Sequence, residues 1–218
     1  MENRGMNERI KSLRKQSVEA VPHIYIERAK LITDAYKMYE GTVSVPELRA
    51  LAFKHFMENR SLCINDHELI VGEKGDSPQA APTFPELCCH TLEDMHVMDS
   101  RDIIFFKVND NDRKIQEEEI IPFWEKRALR SKMLNNLGEE WKKCYGAGIF
   151  TEFMEQRGPG HTVGGEVFYR KGFLDLKAEV ETQINALDFI NDKEALRRKQ
   201  ELEAMKICCD AIIIYAER

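Results

Sequence analysis

His161 stands in a run built mostly of glycine: Arg157-Gly158-Pro159-Gly160-His161-Thr162-Val163-Gly164-Gly165, with the aromatic Phe153 eight positions upstream. Four glycines and a proline in nine residues do not form a regular element. Glycine belongs where the backbone needs φ > 0 or must approach another group closely. A rigid loop of this kind presents its imidazole to a pocket. Imidazole is the side chain whose charge changes near neutral pH, so the chemistry on offer is proton transfer to or from a bound molecule. Arg157, at the entrance to the loop, can pair with a substrate carboxylate or equally tie the loop to a nearby acid. The competing reading is a plain helix-to-helix connection with a surface histidine.

Other candidate chemistry is weaker. Cys88-Cys89-His90, with His96 six positions on, suggests metal ligation. Adjacent cysteines point to different sides of a helix or strand, however, and no second CxxC or HxxxH accompanies them. These thiols, and the Cys208-Cys209 pair, are expected to pack as small apolar groups, and no metal site is expected. Cys63 and Cys144 have no His and Asp constellation beside them in sequence, so a thiolate nucleophile has little support. Gly72-Glu73-Lys74-Gly75 lacks the second half of a phosphate loop and a Ser or Thr after the lysine. Glu117-Glu118-Glu119 reads as a solvated helix face. His55 and His90 sit at helical spacing among apolar residues, as core-edge histidines do.

The bulk of the chain narrows the function classes. It has 218 residues, 43% apolar and 32% charged, which suits a globular protein with a sizeable core. The net charge is −6, and no Lys/Arg block with interleaved aromatics occurs, so a nucleic-acid partner is not expected. Residues 1–15 alternate charges instead of forming the apolar stretch of a signal peptide. No run reaches the roughly 18 consecutive apolar residues needed to span a membrane. Six cysteines, four of them in vicinal pairs, fit reduced thiols, and a cytoplasmic protein is expected.

Hydrophobic periodicity supplies the frame: mostly α, with a few short strands. Residues 5–20, 24–39 and 45–59 read as helices, the third with Pro46 in its first turn. Residues 62–64 and 69–72 read as two short strands around the polar turn Asn65-Asp66-His67-Glu68. Residues 73–85, with three prolines, read as an extended loop. Residues 86–97 pattern as a helix, 103–106 as a strand or buried turn, and 112–137 as two helices divided at Pro122. Helices at 139–155, 168–187 and 193–218 complete the pattern. The last carries Leu202, Met205, Cys209, Ile212, Ile213 and Ala216 along one stripe. Its apolar end, Ile212, Ile213, Ile214 and Tyr215, is expected to form an exposed face that something larger covers.

Several segments together resemble a known family. Ile26-Glu27-Arg28-Ala29 with Asp34-Ala35-Tyr36-Lys37, Leu48-Arg49-Ala50-Leu51, Glu68-Leu69-Ile70-Val71-Gly72 and Phe84-Pro85-Glu86 resemble the start of the pyruvate formate-lyase-like domain of glycyl radical enzymes. The stretches CCHTLEDM, EEIIPFWEKR, FTEFMEQRGPGHTV and RKGFLDLK are closer to the branch that dehydrates trans-4-hydroxy-L-proline. The resemblance runs from about residue 8 to residue 218. It implies the N-terminal part of a ten-stranded α/β barrel and a hydroxyproline-like small-molecule substrate. It also implies a glycyl radical installed by a separate S-adenosylmethionine-dependent activating enzyme, with no cofactor bound directly. Radical C–O cleavage to 1-pyrroline-5-carboxylate under anaerobic conditions follows from the same resemblance, as does a homodimer for the full-length enzyme. Other branches of the family are diol dehydratases, arylacetate decarboxylases and formate acetyltransferase; a helical interaction module without chemistry is the alternative outside it.

The resemblance gives two residues roles. His161 assists the departing hydroxyl, and Phe153 lines the substrate pocket. The family's cysteine loop, of the Gly-Cys-Val-Glu type, and its radical glycine loop, of the Arg-Val-x-Gly type, do not occur in the sequence. Residues 1–218 are therefore expected to be a truncation or one part of a split enzyme, inactive without the rest of the glycyl radical enzyme.

Overall fold

The computed structural model describes residues 7–149 and 164–218. They divide into two compact units, one within residues 1–30 and 61–136 and the other within 31–60 and 137–218.

The first unit is built on short extended segments braced by helices. Helix α1 (Glu8–Glu19) is capped by Asn7, whose side chain accepts the Ile10 N–H at 2.9 Å. Strand β1 (His23–Tyr25) runs parallel to β2 (Ala80–Pro82), with His23, Ile24 and Tyr25 opposite Ala80, Ala81 and Pro82. Lys107 lies on β1 as well: its N–H reaches the Pro22 carbonyl at 2.8 Å, and its carbonyl accepts the Ile24 N–H at 2.9 Å. Gly75 crosses so close to β1 that an added Cβ would meet the Ala80 Cβ at 2.5 Å and the Tyr25 ring at 3.0 Å. A side chain there would push the loop off its strand.

Helices α4 (Leu92–Ser100), α5 (Asp110–Ile115), α6 (Ile121–Trp124) and α7 (Leu129–Asn136) follow. Met95, Ile120, Trp124 and Ala128 are buried among them, with Ile24, Tyr25 and Ile26 also in the core of the unit. Between α5 and α6 the helix widens into one π turn, Gln116–Ile120, in which the Ile121 N–H returns to the Gln116 carbonyl. Pro122 follows within the first turn of α6, where its missing N–H matters least. The division expected at Pro122 is therefore not found. The helical run passes through it and breaks at residues 125–128, after Trp124.

The second unit is helical. In α3 (Val45–Asn59) Ser44 and Glu47 form a capping box: the Ser44 hydroxyl accepts the Glu47 N–H, and Glu47 accepts the Ser44 N–H at 3.0 Å. The long α11 (Ala195–Glu217) packs on α3 and on α10 (Phe173–Asn185). Small residues allow the approach: Ala50 and Ala52 are buried on α3, and Ala204 and Ala211 on α11. Lys177–Asp210 at 2.7 Å and Lys206–Glu181 at 3.3 Å join α10 to α11. At the end of α11, the Arg218 guanidinium donates to the Met57 carbonyl at 2.7 Å and the Arg60 carbonyl at 3.0 Å. Helix α2 (Glu27–Tyr39), with Ala29, Ile32, Thr33 and Ala35 buried, contributes its first turn to one unit and the remainder to the other.

Several expectations need correction. Residues 62–64 and 69–72 form no strands; the two short strands are β1 and β2 instead. The segment read as a helix from residue 86 starts at Leu92, because Thr91 and Asp94 form a capping box there. Residues 103–106 are neither a strand nor a buried turn: Ile103 and Ile104 sit in bends with their side chains in solvent. Ile212, Ile213, Ile214 and Tyr215 are half-buried, not an open apolar face. Within that unit α3 lies against α11, and Arg60 stands about equally far from the Phe56 and Tyr215 rings, 5.1 and 5.3 Å from their centroids.

Candidate functional site

Phe153, Arg157 and His161 lie outside the described residues; what the structure places are the residues on either side, up to Ile149 and from Gly164. On the near side α8 (Glu139–Gly146) stops well short of the helix expected through residue 155. Gly148 takes φ +70°, its N–H bonded to the Tyr145 carbonyl at 3.0 Å, and the Ile149 N–H returns to the Cys144 carbonyl at 3.1 Å. A left-handed glycine of this kind ends a helix cleanly.

On the far side Gly164 and Gly165 have φ +76° and +48°, and the Val167 N–H closes a turn onto the Gly164 carbonyl at 3.0 Å. A Cβ on Gly164 would lie 2.3 Å from the Phe168 ring. Glycine is thus required there twice over, by backbone angle and by contact. The helical run expected from residue 168 to 187 is two pieces, α9 (Val167–Arg170) and α10, parted at Lys171 and Gly172. Asp175 accepts the Gly172 N–H at 2.9 Å, and Lys171 pairs with Glu179, so the exit from the loop is tied to α10.

In the first unit the structure brings together side chains that sequence spacing keeps far apart. The Arg28 guanidinium donates to both oxygens of Glu86, at 3.2 and 2.5 Å, and to the Thr83 carbonyl at 3.0 Å. It stacks 3.7 Å from the centroid of the Phe84 ring. This is the forked, planar geometry that lysine cannot reproduce. One residue earlier, Glu27 accepts from the Ser61 N–H at 3.0 Å, from the Ser61 hydroxyl at 2.7 Å and from the Tyr25 hydroxyl. Two of the segments that carry the family resemblance, at 26–29 and 84–86, therefore meet in space. Sequence reasoning marked both without pairing them. A charged residue in each was the available signal, but charge alone does not choose partners 58 residues apart.

His23 was not singled out from the sequence. Its Nδ1 lies 3.1 Å from the Val21 carbonyl and its Nε2 3.1 Å from Asp76 Oδ1. Burial alone would lower its pKa; the Val21 carbonyl and the Asp76 carboxylate outweigh that and hold the imidazole above its ordinary value. Asp112 also attracts it, and the Asp112 carboxyl is itself raised by burial. The arrangement fastens the loop after residue 73 to β1.

The described cysteines are free thiols. Burial, with the neighbouring Cys88, Glu125 and Asp94, pushes the Cys89 thiol up to about 11, and burial likewise raises Cys63, Cys208 and Cys209. These four stay protonated at neutral pH, which disfavours thiolate attack and thiolate ligation. Among the described residues no three His, Cys, Asp or Glu side chains converge as metal ligands would. Likewise, no helix there is long and apolar enough to cross a membrane. His55 and His90 are half-buried, as core-edge histidines are. Glu117 and Glu118 face solvent, whereas Glu119 pairs with Lys30 at 3.2 Å.

A family model described as pyruvate formate lyase-like matches residues 6–218. Trans-4-hydroxy-L-proline dehydratase from Clostridioides difficile is 60% identical over 215 residues, which are 99% of this chain and 27% of that enzyme. Isethionate sulfite-lyase from Nitratidesulfovibrio vulgaris is 28% identical over 228 residues, again 99% of this chain and 27% of the relative. Among solved structures, the glycerol-bound B12-independent glycerol dehydratase from Clostridium butyricum superposes with a TM-score of 0.83 at 26% identity, covering 96% of this chain and 27% of that one. A glycyl radical enzyme from Archaeoglobus fulgidus gives 0.84 at 26% identity with the same coverage. The chain thus spans 27% of the length of each of these relatives.

Proposed function

The chain belongs to the pyruvate formate lyase-like family, and on that footing we propose that it is the N-terminal part of a glycyl radical lyase that dehydrates trans-4-hydroxy-L-proline to 1-pyrroline-5-carboxylate. The observation that carries the reading is the gap between relatives. Over the same 99% of the chain, identity is 60% to the hydroxyproline dehydratase and 28% to the isethionate lyase. A pocket rebuilt for a different substrate would not be expected to keep so much of one branch.

The radical, installed by a separate S-adenosylmethionine-dependent enzyme in an anaerobic cytoplasm, supplies hydrogen-atom abstraction from the substrate. The work assigned to residues 1–218 is to hold the substrate and help its hydroxyl depart. Hydroxide is a poor leaving group; an imidazolium at His161 that gives it a proton lets water leave instead. Phe153 walls the pocket and keeps water away from reactive species. Gly148, Gly164 and Gly165 take left-handed torsions on either side of the stretch bearing both residues, which is consistent with a reading in which that stretch is held at both ends. The partners are the hydroxyproline-like substrate, the activating enzyme and the rest of the glycyl radical enzyme, which we expect to act as a homodimer.

The test uses the complete polypeptide, activated anaerobically and supplied with hydroxyproline. His161→Gln is expected to lower dehydration by about 100-fold or more while the glycyl radical signal in electron paramagnetic resonance stays at its unsubstituted level. Unchanged turnover removes the role given to His161. Turnover of a diol or of isethionate in preference to hydroxyproline overturns the choice of branch.

A further inference from the structure

The first described residue after His161 is Gly164, and an aromatic ring bears on it. The edge of Phe168 lies where a Gly164 side chain would begin: a Cβ there would stand 2.3, 2.5 and 2.9 Å from three atoms of that ring. The turn that carries the ring is short and closed, with the Val167 N–H on the Gly164 carbonyl at 3.0 Å and the Lys171 N–H on the Val167 carbonyl at 2.9 Å. Phe168 also meets Phe173, in the first turn of α10, with ring centroids 5.7 Å apart and planes tilted by 42°. That turn is fixed in its own right, since Asp175 accepts the Gly172 N–H and Lys171 pairs with Glu179. Contacts thus run unbroken from a 13-residue helix through two rings to a glycine backbone.

As core, the ring does little. Phe168 is 45% exposed and Phe173 only half-buried, so the pair adds modestly to the stability of the fold. Its geometry matches a second task better. Gly164 and Gly165 hold φ +76° and +48°, a region that glycine leaves as readily as it enters. A ring seated against Gly164 narrows the room in which those torsions could relax. His161 is three residues upstream, within about 11 Å of Gly164 even on a fully extended chain. Displacing a catalytic group by about 1 Å is enough to cost on the order of 100-fold in rate.

We propose that Phe168 is a positioning residue for the dehydration. Held by Phe173, it sets the backbone at Gly164, and through it where the His161 imidazole stands against the departing hydroxyl. The proposal rests on the role given to His161 above, and it assigns Phe168 no contact with the substrate.

The test compares four forms of the complete polypeptide: unsubstituted, Phe168→Ala, His161→Gln and the double variant. Each is activated anaerobically and read as kcat per glycyl radical spin. Phe168→Ala is expected to lower kcat about 10-fold or more with KM for hydroxyproline within about 2-fold, because the misplaced group acts only in the transition state. Phe168→Tyr, which keeps the ring, is expected to restore kcat. In the His161→Gln background Phe168→Ala is expected to change nothing further, since the group it places is gone. A fall of the same size in that background overturns the proposal, as does a loss carried by KM alone. So does unchanged kcat in Phe168→Ala beside a slow His161→Gln, a result that leaves the role of the imidazole standing. Full turnover by His161→Gln overturns that role and the proposal together. Where Phe168→Ala takes up no radical, Phe168→Leu, which keeps apolar bulk without the flat edge, is read in its place.

Discussion

Two runs of branched aliphatic residues, at 69–71 and at 212–214, look alike in composition and meet opposite ends. The isoleucines of α11 are half-buried in a unit where α11 lies against α3, and a ladder of small residues, Ala50, Ala52, Ala204 and Ala211, lets the two helices come close. Arg218 adds hydrogen bonds to carbonyls at and just beyond the end of α3. Leu69, Ile70 and Val71 have no comparable counterpart among the described residues: the turn before them satisfies its own polar groups and leaves the strip exposed. Apolar composition signals that a surface needs covering. Whether the same chain covers it depends on a helix face finding another at packing distance, or a strand finding an edge.

Matched truncations test that contrast most severely. Phe56, buried on α3, is expected to cost about 3 to 5 kcal/mol when changed to Ala, whereas Leu69→Ala stays within about 0.5 kcal/mol. Urea unfolding of the chain measures both, and equal costs would erase the distinction. A smaller effect is expected where α3 is started rather than packed. Ser44→Ala removes one half of the capping box and is expected to cost about 1 kcal/mol, read as a lower denaturation midpoint with an unchanged slope.

The smallest effect is a pH dependence confined to the first unit. The folded-state pKa of His23 is raised above its ordinary value of 6.5. Its contribution to stability is therefore fully present below that value and is lost as pH rises through the raised one. Amides of residues 75–79 should exchange faster across that window relative to amides of α3, and Asp76→Asn should flatten the difference. A parallel change in α3 would show that the two regions are not held independently.

Helices with both a periodic face and a chemical start signal were legible in the sequence. Residues 45–59 were read with their observed bounds, since Pro46 and the apolar spacing agree with the capping residues. The mostly α fold and the family were legible too, the latter from motifs that the comparisons bear out. Strands were not. β1 and β2 are three residues each and are set by a parallel pairing across more than fifty positions, which no local pattern encodes. The run that does look like a strand, at 69–71, bends at Leu69 and Ile70 instead. Pro122 misled because a π turn ahead of it absorbs the disruption, and a π turn has no sequence signature as plain as proline's. Of the site, the glycines were legible as demands on backbone angle, and Gly164 and Gly165 meet that demand. The clasp of Arg28 on Glu86 and Phe84 was not, because it depends on tertiary pairing.

Gly148, Gly164 and Gly165 have a consequence for how such a protein can change over generations. The backbone on either side of residues 150–163 is set in left-handed main-chain torsions that three positions without side chains make possible. A single methyl group added at residue 164 would drive the backbone against the Phe168 ring, so variation there is closed off by geometry and not by chemistry.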